Sequence, residues 1–178
     1  GKWISYTYND YVLEQLAKKS DQVKDLRMVG IMTPQQRVDV PEFGLENNSG
    51  EWFSAIVTKV TETPKWGSDE IEKACEESWI GNKGYRKADG AEQRRALAFL
   101  GDVRSKDGSK VTEVFVADLP EVLIEEEGFP LEGSATTRPN VPAGVVQRRI
   151  TYTTDEKYPG VQGPRHWTRS SPDGTKIF

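Results

Sequence analysis

Ser171-Pro172-Asp173-Gly174 is the stretch that leaves this chain the fewest choices. Proline presets φ, aspartate bonds back to the backbone, and glycine takes positive φ at no steric cost, so the four residues specify a tight turn. The aromatic segment Arg165-His166-Trp167-Thr168-Arg169 precedes the turn and Lys176-Ile177-Phe178 follows it. The whole reads as strand, turn, strand. Lys106-Asp107-Gly108-Ser109 is a second hairpin turn, between strand-like residues 96–103 and the strongest strand pattern of the chain, 110–119.

A chain of 178 residues suits one domain and is long enough to bury a core. With 24 basic and 28 acidic side chains the formal net charge is −4. That argues against nucleic acid as a partner, which needs a basic face. One cysteine, Cys75, excludes an internal disulfide and a cysteine-built zinc cage. One histidine, His166, excludes a His-rich metal site made from this chain alone. No run approaches the roughly 18 apolar residues of a membrane span.

Along the chain, residues 1–10 read as a strand and turn, with Ile4, Tyr6 and Tyr8 on the more apolar face. Residues 11–19 read as a short surface helix or a turn. Residues 26–33 form a buried strand stopped by Pro34, and 37–40 a short strand. The turn cluster Asn47-Asn48-Ser49-Gly50 leads into a strand over 51–57. Gly1-Lys2-Trp3-Ile4-Ser5 and Gly50-Glu51-Trp52-Phe53-Ser54 share a pattern 49 residues apart. A repeat unit of about 40–45 residues is the size of a propeller blade. An insertion covers 64–93. Within it Ser68 caps, and Ile71, Ala74, Cys75, Ser78 and Trp79 fall at helical spacing, which predicts an amphipathic helix over about 68–80 stopped by Gly81. Residues 121–144 are irregular, and 145–153 read as a strand.

The strand that runs into Ser-Pro-Asp-Gly and on to an apolar pair resembles the repeat of TolB-type (WD40-type) β-propellers. Residues 110–119, ending in Asp118-Leu119, and the Arg148-Arg149-Ile150-Thr151 pattern resemble other strands of such blades. Gly67-Ser68-Asp69-Glu70-Ile71 and Gln93-Arg94-Arg95-Ala96-Leu97-Ala98-Phe99 further resemble an uncharacterised bacterial family of TolB-like proteins. The resemblance implies a mainly β chain of two to three antiparallel four-stranded propeller blades with one inserted amphipathic helix. It also implies that this is part of a larger ring, completed by remaining blades or by self-association.

His166 is the residue singled out for function, with Arg165, Trp167 and Arg169 around it. Alternation puts Arg165, Trp167 and Arg169 on one face, and His166 with Thr168 on the other. His166 also resembles a histidine ligand of the channel metal in oligogalacturonate lyases, which share the TolB-like architecture. A divalent ion such as manganese there would stabilise the enolate formed when a base takes the proton beside a uronate carboxylate. The blander reading is a structural histidine bonded to neighbouring backbone. Arg94-Arg95 and Arg148-Arg149 are read as solvated or strand-tying rather than glycan-binding. Asp69, Glu70, Glu72, Glu76 and Glu77 are read as a solvated helix face. Trp3 and Trp52 are read as packing at matching repeat positions, Trp66, Trp79 and Trp167 as further candidates for stacking on sugars, and Cys75 as a small buried hydrophobe. Two functions follow: a ligand- or protein-binding scaffold, whose partner is a protein or a carbohydrate, and a fragment of a metal-dependent lyase acting on acidic oligosaccharides.

Overall fold

The computed structural model describes residues 3–9, 18–19, 24, 26–38, 49–133, 138–162 and 167–178, with the backbone alone at 35–38. The expected residues 11–17, Asn47-Asn48, and Arg165 and His166 lie outside these. Among the described residues, nine strands form three antiparallel sheets. The first has the order β1-β2-β3, from Ile4–Tyr8, Met28–Val38 and Gly50–Ile56. The second has the order β4-β7-β8-β9, from Ala74–Trp79, Ala96–Arg104, Lys110–Asp118 and Val146–Arg149. The third is a ribbon of β5 (Tyr85–Arg86) and β6 (Glu92–Gln93) inserted between β4 and β7.

This overturns the expectation of two to three four-stranded blades with a helix over about 68–80. Among the described residues one sheet has four strands, the others have three and two, and none is helical. The chain leaves the first sheet one bond after β3, where Val57 N–H donates to Val29 O at 2.8 Å. It then crosses to the second sheet, with Thr61 N–H bonded to Ile71 O and Glu72 N–H to Asp102 O.

The missing helix has a definite cause. Strand β4 carries a bulge, in which Cys75 pairs with Leu100 and Ser78 with Ala98, so two residues stand opposite Phe99. Glu76 takes up the extra length at φ 58°, in the left-handed region. The bulge lets Ala74 and Trp79 both face the main core although five positions apart, while Ile80 faces a second cluster. A strand buried on both faces with one residue inserted imitates the i, i+3, i+4 spacing of a helix. Ser68 does accept the Glu70 N–H at 3.2 Å, but it closes a turn, its own hydroxyl bonding Lys65 O at 2.7 Å.

The apparent repeat also does not survive. Strands β1 and β3 flank β2 in one sheet, Ile4 pairing with Met32 and Met32 with Ser54. That register puts Trp52 on the face of Ile4, whereas Trp3 packs against the core and under the Arg95 guanidinium at 4.3 Å. A slip of one residue moves a side chain to the opposite face. Strand β2 also runs through Pro34 rather than stopping, at an irregularity between Pro34 and Val38.

The core lies between the two larger sheets. Val29, Ile31 and Val57 of the first meet Leu97, Phe99, Val103, Phe115 and Ala117 of the second, with Ile71 between. The opposite face of the second sheet carries Ala96, Ala98 and Val116 under Ile80, Tyr85 and Ile177.

The turns form as the sequence predicts. Gly108 N–H donates to Ser105 O and Gly174 N–H to Ser171 O, with φ 83° and 73° at the glycines. Asp107 Oδ1 accepts from Ser105 Oγ at 2.5 Å and Ser109 N–H at 3.0 Å. Asp173 Oδ1 accepts from Ser171 Oγ at 2.5 Å and Thr175 N–H at 3.1 Å. These hydrogen bonds, the serine hydroxyl first, hold each carboxyl down at about 2. A depressed folded value means stability that is complete above the unfolded value of about 4 and lost as pH falls toward 2. Thermal midpoints measured down through this window are expected to fall more steeply for the wild type than for the D107N/D173N variant. Superimposable curves would remove these turns from the acid response.

Candidate functional site

The stretch singled out in the sequence builds a hairpin on the outer face of the four-stranded sheet. Arg169 and Phe178 exchange both backbone hydrogen bonds, at 2.9 and 2.7 Å, and Ser170 bridges Ile177. The inward residues anchor it. Thr168 is 4% exposed, its N–H donates to Glu76 O at 3.1 Å, and its hydroxyl sits 2.9 Å from Ser78 Oγ and 3.1 Å from Ala98 O. The bulge at Glu76 therefore supplies the carbonyl on which the hairpin docks. Ile177 packs on the Ala96, Ala98 and Val116 cluster.

The turn is locked from outside as well. Ser170 Oγ accepts Gly81 N–H at 2.9 Å, and Pro172 O accepts Asn82 N–H at 2.8 Å. A Cβ on Gly174 would stand 2.3 Å from Gly84 O, so only glycine admits this contact.

The outward residues are left as a strip. Trp167 is 59% exposed and Phe178 74% exposed, and Arg169 and Lys176 are exposed beside them. Arg169 Nη1 donates to Thr168 O at 3.0 Å, which holds the guanidinium close to its own strand. Two aromatic rings and two cations thus share one surface, while the Asp173 carboxylate is engaged by its own turn. Trp167 and Arg169 fall on the face that alternation predicts, with Thr168 on the other. Their expected companions Arg165 and His166 lie outside the described residues.

Next to the hairpin stands a polar cluster that sequence reasoning did not find. Tyr85 Oη donates to Asp118 Oδ1 at 2.8 Å and accepts from Arg148 Nη2 at 2.6 Å, and Lys87 Nζ lies 3.2 Å from Asp118 Oδ2. Burial, then the hydrogen bond to Asp118, pushes the Tyr85 hydroxyl above its ordinary value. The cluster sums to one positive charge, its carboxylate paired with Lys87 and bonded by Tyr85, through which Arg148 is linked to it. Its members are scattered over 63 positions, from 85 to 148, so no spacing signals it.

The other candidates are structural. Arg148 is tied to Tyr85, Arg149 to Asp69 at 3.4 Å and the Tyr152 ring at 4.2 Å, and Arg95 to Glu121 at 3.0 Å. The supposed acidic helix face is dispersed. Glu72 is 3% exposed and pairs with Arg104 and, at 3.2 Å, with Lys110, while Glu77 accepts from Thr7 at 2.8 Å. Cys75 is buried, as a small hydrophobe should be. An open cleft of about 580 Å³ runs beside β9, but its polar walls are used: Asp69 by Arg149, and Gln147 by both the N–H and C=O of Lys59. Among the described residues no three His, Cys, Asp or Glu side chains stand together as a metal-holding group.

No family model matches the sequence. No solved structure matches it. The chain is similar to the uncharacterized protein YidR of Escherichia coli (strain K12), 43% identical over 184 residues that cover 99% of this chain. The chain spans 40% of the length of that curated relative. It is thus a β-rich protein like an uncharacterised bacterial one, and no helix among its described residues is long and apolar enough to cross a membrane.

Proposed function

We propose that the protein is a binding scaffold, and that the outward strip of the terminal hairpin is its ligand surface. The observation that carries this is the pairing of two exposed aromatic rings with two exposed cations on a hairpin whose inward side is fully bonded. Such a surface is rigid before binding, so little ordering is lost when a ligand arrives. Aromatic faces stack on flat apolar surfaces and guanidinium groups take carboxylates in two-point contacts. An acidic oligosaccharide offers both, an apolar ring face and a carboxylate. The likeness of residues 165–178 to the TolB-type motif supports a relationship to those proteins and leaves the activity to be argued from the strip itself.

The second reading keeps a lyase acting on such a ligand, with His166 as one ligand of a divalent ion. The two differ in a single measurement. Oligogalacturonate titrated into the protein is expected to change tryptophan emission saturably, and W167A and R169A to weaken binding about tenfold, the worth of one stacked or ionic contact of roughly 1.4 kcal/mol. Formation of an unsaturated product with added manganese, lost in H166A, would support the lyase. Absence of any saturable change would sink both readings for this ligand class.

A further inference from the structure

We infer that the outer face of the β1-β2-β3 sheet is a docking face for polypeptide that, in proteins of the length of YidR, lies outside the span of this chain. An antiparallel sheet with one solvated face alternates apolar inward and polar outward. This sheet does not. Its inner face carries Val29, Ile31 and Ala55, and its outer face carries Ile4, Met32, Pro34 and Trp52. The register tiles these four together, since Ile4 pairs with Met32 and Pro34 with Trp52. Ile4 is 52% exposed and Trp52 48% exposed. Among the described residues, Ser54 is the polar residue that the register places among them, and none that it pairs into this patch is charged.

The chain covers the neighbouring part of the same face itself. The Tyr6 ring lies over Gly30, where a Cβ would come within 2.4 Å of it, and its hydroxyl bonds Ser54. Burial pushes the Tyr6 hydroxyl upward, as expected of a ring already packed. The covered and bare halves are therefore one continuous apolar surface. A contiguous apolar patch on a sheet is a contact surface for something. The length of YidR names the occupant: most of that relative lies outside the match, while 99% of this chain lies inside it.

The test replaces the matching segment of YidR with these 178 residues and compares the hybrid with the 178-residue chain by hydroxyl-radical oxidation and mass spectrometry. Met32 and Trp52 are expected to be oxidised several-fold more slowly in the hybrid, while Trp66, 55% exposed and elsewhere, is oxidised at the same rate in both. Equal rates at Trp52 in the two proteins would overturn the assignment. A concentration series on the 178-residue chain gives the second decision. A chain that stays monomeric with Met32 and Trp52 reactive supports the inference. Self-association that protects those two residues would put a second copy on the face and overturn it.

Discussion

Phe115→Ala is expected to lower the unfolding free energy by about 4 kcal/mol, the usual cost of emptying a buried aromatic site. Phe115 is fully buried and stacks on Phe99 with ring centroids 5.7 Å apart. Its ring also fills the space over Gly101, where a Cβ would come within 2.7 Å of it. No flexible neighbour can collapse into that gap, because Phe99, Ile71 and Val103 are themselves held in the same core. For a chain of this size the loss amounts to a fall in thermal midpoint of roughly 10 °C. Phe129→Ala, at a residue 53% exposed, is the control and should change stability by no more than about 0.5 kcal/mol. A fall at Phe115 no greater than the control's would mean that the two large sheets are not joined through this ring.

Glu113→Ala is expected to cost nearly as much, about 3–5 kcal/mol, for a different reason. Glu113 is 1% exposed and stands in the core-facing row of β8 between Val111 and Phe115. One carboxylate oxygen accepts from Thr153 N–H at 2.6 Å and Thr153 Oγ1 at 2.9 Å, and the other accepts from the Thr151 hydroxyl. Thr151 Oγ1 in turn accepts Val114 N–H at 2.9 Å. Alanine removes the acceptor and leaves these part-buried donors unmet around a buried site, where each unmet donor costs about 1–3 kcal/mol. Hydrogen exchange locates the effect: the Thr153 amide should lose its protection before the amides of β7 and β8 do. Retained protection at Thr153 would show that the carboxylate does not hold this segment.

The turns and most strands could be read from the chain because their causes are local. Asp107-Gly108 and Asp173-Gly174 carry their own hydrogen-bond acceptors and their own positive-φ residue, so they form whatever surrounds them. The alternation around Trp167 and Arg169 is likewise a property of extended backbone. The segment over 68–80 was misread because burial on both faces of β4, with a bulge at Glu76, reproduces a helical spacing in a strand. The Trp3 and Trp52 match was misread because a motif does not record which way its first side chain points. The Tyr85, Lys87, Asp118 and Arg148 cluster was invisible because its members come from different strands.

The amino-acid sequence by itself determined that this protein is built of strands joined by aspartate–glycine turns, and that Trp167 and Arg169 share a face. Tertiary structure alone decided how many strands each sheet holds, that β4 is not a helix, and which side chains stand beside the terminal hairpin. The reason is range. Turn chemistry and backbone alternation act over a few residues, whereas sheet membership and bulges are settled by which distant segments bury each other's apolar groups.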